Sequence, residues 1–277
     1  MSRTLFTLFD RKQLAPMQHA PSGPPGPTPS AGTGPRGTTP RERARGAMID
    51  DVITVARRQL GEVGAAGLSV RSVTRELGIS PSAVYRYFAS RDHILTALLV
   101  EGYSRLGAAV TDADDALPPD RVTTRWHRVW HSTRDWAVAN PHEYALLYGT
   151  PVIGYAAPPE TVEPATRVVV RLAEILFHAA RRGLLTERLD LSDPAPTAGL
   201  RADAEALMAT IRELGVAVPD DLDPADPLRV VNAWSELFGA ISFELFGHYV
   251  RSITRHAEHL DTLAAASARQ VGLPEQD

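Results

Sequence analysis

No stretch limits the available folds more tightly than residues 69–88. Ser69 is placed to cap a helix over 69–77, in which Val70, Val73 and Leu77 share one face. Gly78 breaks that helix and Ile79 plugs the corner. Ser80 then caps a third helix with Pro81 at its first position, where the missing N–H costs nothing. Val84 and Phe88 face inward at i, i+4. Two helices of about eight residues joined by Gly-Ile-Ser make a helix-turn-helix, a crossing helix followed by one shaped to enter a major groove. A helical corner inside a larger bundle would carry the same local pattern.

The rest of the chain is helical in period. Met48, Val52, Val55, Ala56, Leu60 and Val63 form a stripe over residues 43–63, closed by Gly64 and Gly67. Arg91 and Asp92 open a fourth helix through Ile94, Leu95, Leu98 and Leu99. Further helices are predicted over 121–139, 141–148, 160–183, 198–215, 224–249 and 253–270, separated by Pro-marked breaks, with a loop at 149–159. No alternating strand-hairpin signature interrupts them. The fold class is all-α, roughly ten helices. Residues 1–40 stand apart: between Pro21 and Pro40, 12 of 20 residues are Pro or Gly, the composition of a disordered leader. A dispensable tail, or an overlong start with Met17 as the true first residue, is favoured over a flexible arm that touches DNA. The domains are therefore read as a leader at 1–40, a helix-turn-helix domain at 41–91 and a helical body at 92–273.

Charge separates the same parts. The whole chain carries −4, yet residues 1–40 carry +3, residues 41–91 carry +4, and the remainder −11. A basic amino-terminal third on an acidic body is expected of a small DNA-binding module carried by a domain that does not bind DNA. Zero cysteines exclude a disulfide framework, a zinc finger, an iron–sulfur cluster and a thiolate nucleophile. No apolar run is long enough to span a membrane, and Leu5 to Phe9 is too short for a secretory core, so the protein reads as cytoplasmic. Walker, dinucleotide, Gly-x-Ser-x-Gly and HExxH motifs are missing, and the acid pairs Asp114-Asp115 and Asp220-Asp221 read as solvated caps beside prolines. No enzyme and no cofactor is expected.

One resemblance joins these observations. Ala56 lies eight residues before Gly64, Ser69-Val70-Arg71 opens the second helix, Gly78-Ile79-Ser80 makes the turn, and Tyr85-x-Tyr87-Phe88 precedes Arg91-Asp92. This pattern closely resembles the amino-terminal domain of TetR-family transcriptional regulators over residues 43–100. Thr74 stands where the family usually has Ala, its hydroxyl expected on the Val70 carbonyl. Tyr87 replaces the commoner His and Arg91 the commoner Lys. The resemblance implies that Ser82 and Ala83 meet base edges and that Arg71 and Arg86 reach bases or backbone, the arginines being the candidates for guanine contacts. Tyr85, Tyr87, Arg91, Arg43 and Arg45 would hold phosphates, with the capping Ser69 and Ser80 in the same set. Core packing is the alternative for Tyr85, and a solvated face the preferred reading of Arg57 and Arg58.

The resemblance further implies that the body senses a ligand and forms a homodimer, so that the protein represses from a palindromic operator and a small, largely apolar effector releases it. The segment Trp234 to His248 resembles a Trp-x-x-x-x-Gly-x-x-x-x-Glu-Leu-x-Gly pattern of one TetR carboxy-terminal subfamily, in which Gly239 and Gly247 would permit close helix approach. Residues 168–176 and 227–250 are apolar around much of their circumference, so they need partners on more than one side. Val168, Arg171, Leu172, Ile175, Trp234, Phe238, Ile241 and Leu245 are the candidates for a four-helix dimer interface. An intramolecular core would use the same side chains. Trp126, Trp130, Tyr144, Tyr148, Phe177 and Phe243 are the pocket candidates, with plain core the competing role. His127 and His131 share a helix face at i, i+4, a metal-pair spacing, but lie among Trp neighbours without a Cys, and no metal site is assigned. His256 and His259 are treated alike. Beyond DNA, itself and the effector, no partner and no membrane is expected.

Overall fold

The computed structural model describes residues 39–187, 196–220, 222 and 225–277, so the leader reading at 1–38 lies outside the described residues. The chain divides after Ile94 into two compact units, the second running from Leu95 to Asp277. The elements are ten α-helices, and no strand is found among the described residues.

The first unit is built from α1 (Pro40–Gly67), α2 (Val70–Leu77), α3 (Pro81–Tyr85) and the opening of α4 (Arg91–Asp115). Helix α1 starts a little before the expected stripe because Thr39 and Glu42 form a capping box. The Glu42 amide donates to Thr39 Oγ1 at 3.2 Å and the Thr39 amide to Glu42 Oε2 at 2.7 Å, which holds the Glu42 carboxyl below its ordinary range. Gly64 does not end the helix outright; it kinks it, at φ 66°. Val52, Ile53, Ala56 and Leu60 of α1 bury themselves against Leu68, Val70, Val73, Val84, Phe88 and Ile94.

The second unit has a larger core. Trp126, Val129 and Trp130 of α5 (Val122–Ala139), Leu172, Ile175, Leu176 and Phe177 of α7 (Val162–Arg181), and Val230, Leu237 and Ile241 of α9 (Asp226–Leu245) are all buried in it. Helices α6 (Pro141–Tyr148), α8 (Ala198–Glu213) and α10 (His256–Val271) complete the unit, and α10 packs on both α5 and α9. A 3-10 turn at Pro159–Thr161 precedes α7. Helix α9 ends at Leu245 rather than 249, because Gly247 (φ 77°) and Arg251 (φ 65°) take left-handed backbone.

One acid pair departs from its sequence reading. Asp114 is not a solvated cap but fully buried near the end of α4, where Arg125 donates Nε at 2.8 Å and Nη2 at 2.7 Å to its two oxygens. Arg171 adds a contact at 3.3 Å and also reaches Asp115 at 3.2 Å. This knot ties α4, α5 and α7 together. Among the described residues, no helix is long and apolar enough to cross a membrane.

Candidate functional site

The turn between α2 and α3 has a defined chemistry. Ser69 caps α2 by accepting the Ser72 amide at 3.1 Å. Gly78 follows α2 in left-handed backbone, φ 66°; its amide donates to Arg75 O at 3.4 Å and that of Ile79 to Thr74 O at 3.1 Å, the paired bonds of a Schellman ending. A side chain at Gly78 would meet open space but would be strained at that φ. Ser80 holds the cap position of α3 in extended backbone, yet its hydroxyl makes no cap bond and pairs with Ser82 Oγ at 2.9 Å. Helix α3 is shorter than the eight residues expected. It closes at Tyr85, and the Tyr87 and Phe88 amides both return to Val84 O, at 2.8 and 2.9 Å, so Arg86 lies in the turn after the helix.

Exposure sorts the side chains of this unit. Arg43, Arg45, Arg71, Ser80, Ser82 and Arg86 are exposed, and Ser69, Ala83 and Tyr87 are half-buried. Tyr85 is 50% exposed, which removes core packing as its role. Arg91 differs from expectation: it donates Nε to Leu68 O at 2.9 Å and Nη2 to Ala65 O at 2.5 Å, satisfying carbonyls left bare by the kinked end of α1. Through these two bonds its guanidinium braces the fold. Thr74 is also corrected, its hydroxyl bonding Arg71 O at 3.1 Å and not the Val70 carbonyl. Arg58 pairs with Glu76, which also accepts Gln59 Nε2 at 2.8 Å, so this part of α1 is fastened to α2.

In the second unit the six pocket candidates separate. Trp126, Trp130 and Phe177 are fully buried core, whereas Phe243 is 50% exposed and packs on His248 and Tyr249 with centroids at 5.0 and 5.6 Å. Tyr144 and Tyr148 do come together, at 5.2 Å, and are joined by Phe238 at 4.2 Å from Tyr148 and by Tyr103 at 5.7 Å. Tyr103 donates to Leu147 O at 3.0 Å, and Tyr144 bonds Phe238 O at 3.2 Å and Ser242 Oγ at 2.9 Å. Tyr148 is the exception: its hydroxyl is buried and has no hydrogen-bond partner among the described residues. Burial pushes the Tyr103 and Tyr144 phenols up to about 12 and raises that of Tyr148 well above its ordinary value. Two open clefts of about 360 and 310 Å³ lie elsewhere, the first lined by Arg125, Arg171 and His178, the second by Arg128, His131 and Trp136.

The dimer candidates also divide by burial. Val168, Leu172, Ile175, Phe238 and Ile241 are buried by their own chain, Trp234 and Leu245 are half-buried against the same core, and Arg171 is committed to Asp114, Asp115 and Glu174. An apolar helix circumference here reflects a helix surrounded within one protomer. Gly239 meets nothing of its own chain within 4 Å, and Gly247 follows the end of α9 in left-handed backbone.

Comparison with known proteins agrees with both units. Residues 52–98 match the profile of bacterial regulatory proteins of the tetR family, and residues 126–267 match the tetracyclin repressor-like C-terminal domain. HTH-type transcriptional regulators of Mycobacterium tuberculosis and Mycobacterium bovis are 39% identical over 213 residues, covering 76% of this chain and 85% of theirs. The chain belongs to the TetR family. It is a DNA-binding regulator of transcription, and neither the family nor these relatives are enzymes. Among solved structures, the protein SCO4313 superposes with a TM-score of 0.62 at 26% identity, over 83% of this chain and 98% of that one. A TetR-family transcription regulator of Marinobacter aquaeolei VT8 has the same fold, with a TM-score of 0.52 at 14% identity over 81% and 97% of the two chains. In TetR terms, the sequence reading missed the Thr39–Glu42 capping box, although its Thr-x-x-Glu spacing was legible. It also missed Tyr103, whose partners are distant in sequence and which no local pattern marks.

Proposed function

We propose that this TetR protein is a homodimeric repressor that binds a near-palindromic operator and is released by a small, largely apolar effector. The observation that carries the DNA half is the α2–Gly78–α3 turn, which presents Arg71, Ser82, Tyr85 and Arg86 exposed on one compact unit. In this reading Ser82 and Ala83 approach base edges, and Arg71 and Arg86 supply bidentate donors to guanine. Tyr85, Tyr87, Arg43 and Arg45 hold phosphates, while Ser69 and Ser80 shape the turn. Two such modules about 34 Å apart would read half-sites one DNA turn apart. Dimerisation then uses surface other than the five candidates buried in the core of the protomer. A regulator acting on DNA would work in the cytoplasm.

The effector site is placed at Tyr103, Tyr144, Tyr148 and Phe238. A buried phenol without a partner costs stability, and a ligand carrying one hydrogen-bonding group on an apolar body would satisfy it. The DNA reading is tested by selecting random-sequence DNA with the purified protein across a salt series. A palindromic motif with steeply salt-dependent affinity is expected; no motif, even after denaturing and refolding to strip a bound ligand, would sink it. For the effector site, thermal shifts are compared for acetophenone and for ethylbenzene, nearly equal in size and differing in one acceptor. Preference for acetophenone, lost in Tyr148→Phe, is expected; equal shifts in both proteins would overturn the assignment.

A further inference from the structure

Helix α5 carries two neighbouring stripes. Trp126, Val129 and Trp130 are buried in the core, whereas His127 and His131, one turn apart and each next in sequence to a tryptophan, are half-buried on the flank. Helix α10 packs along α5 and delivers Asp261 to that flank, with Oδ1 2.5 Å from His131 Nε2. One ligand-capable atom from each of His127, His131 and Asp261 lies within 4.8 Å of the others. The i, i+4 histidines thus acquire the third donor that the sequence did not reveal, from a residue 130 positions away from His131.

We propose that His127, His131 and Asp261 form a binding site for a borderline divalent cation, of the class of zinc, nickel or cobalt. Two imidazoles and a carboxylate suit these ions, whereas calcium and magnesium take all-oxygen sets and copper(I) takes sulfur. Bonds of about 2.0–2.1 Å in a tetrahedral site put ligand atoms about 3.3 Å apart. That value falls between the 2.5 Å of the His131–Asp261 pair and the 4.8 Å that bounds the cluster. Three protein donors leave further positions to water. Burial and the neighbouring His131 both act against a positive charge on His127. The other charges acting on His127 are the carboxylates of Asp261 and Asp277, both of a sign that attracts a cation. A bound ion would clamp α10 to α5, beside the stripe that carries Trp126 and Trp130.

The test uses the full chain without a histidine tag, stripped with a chelator and titrated with cobalt(II), read by visible absorption and quenching of tryptophan fluorescence. Zinc(II) is titrated in parallel by calorimetry. One ion per chain is expected, with a rise in melting temperature of about 5 °C or more once the ion is about a hundredfold above its Kd. His127→Ala, His131→Ala and Asp261→Asn should each weaken binding by about tenfold or more, as loss of a direct ligand costs at least what loss of its supporting partner does. Asp261 is 55% exposed, so its replacement leaves the core packed, and far-UV circular dichroism checks folding in all three. Absence of stoichiometric binding at millimolar ion would overturn the proposal. So would binding that survives undiminished in the folded variants, which would place the ion elsewhere, at His256 and His259 for example.

Discussion

At the scale of single residues, the most consequential side chain belongs to the second unit. Asp114 is fully buried and accepts from Arg125 and Arg171, each guanidinium 16% exposed or less. Removing the acid leaves two cations facing each other in a poorly solvated interior, a loss typically of about 3–5 kcal/mol. Asp114→Ala is therefore expected to lower stability by that order in urea unfolding, with Arg125→Ala losing less because Arg171 still neutralises the acid. Equal, small effects for both would mean that water reaches the knot. Arg91 carries a related lesson. Its place in a family pattern suggested a phosphate contact, but the Gly64 kink bares carbonyls at the end of α1, and the nearest guanidinium satisfies them.

Elements were legible where the chain supplies its own punctuation. Helix α2 has Ser69 before it and Gly78 after it, and α6 opens on Pro141, so both begin and end within a residue of expectation. Helix α3 was not, because its end is set by two amides competing for Val84 O, which hydrophobic period does not register. Helix α9 shows the larger limit. Its apolar circumference marks it as surrounded, yet periodicity cannot say whether the cover comes from its own chain or from a second copy, and α7 and α10 supply much of it here. Two substitutions on α9 put this to measurement. Gly239 is exposed and interior to the helix, so Gly239→Ala should stabilise by about 1 kcal/mol through helix propensity. A loss of stability that depends on protein concentration would instead locate a partner against it. Burial raises the Glu236 carboxyl above its ordinary value of 4.5. The unfolded state then ionises first as pH rises, so the charge opposes folding at neutral pH and not in acid. Glu236→Gln should raise the melting temperature at pH 7, with the gain disappearing as pH falls below 4.5.

On the scale of the whole molecule, charge was the most readable property and makes the sharpest prediction. A segment at +4 over residues 41–91 and one at −11 over residues 92–277 mean that DNA is attracted to one part of the chain and repelled by the other. Affinity should accordingly rest on few phosphate contacts, each contributing a slope of about −0.9 in log affinity against log salt. Arg43 and Arg45 lie exposed in the first turns of α1 and are assigned to phosphates; Arg71 is assigned to a base. In a dimer, Arg43→Ala with Arg45→Ala removes four contacts, so the slope should become shallower by about 3 to 4 while preference among operator sequences stays the same. Arg71→Ala should do the reverse: little change in slope, and a loss of about ten- to a hundredfold in discrimination at one position of each half-site. Fluorescence anisotropy at several salt concentrations, on the selected operator and on single-base variants of it, measures both quantities at once. If Arg71→Ala flattened the slope and left discrimination intact, the base reader would have to be sought at Arg86, the other exposed guanidinium beside α3. A slope unmoved by loss of Arg43 and Arg45 would mean that α1 begins clear of the DNA backbone, and that the positive charge of this unit steers the encounter without holding the complex.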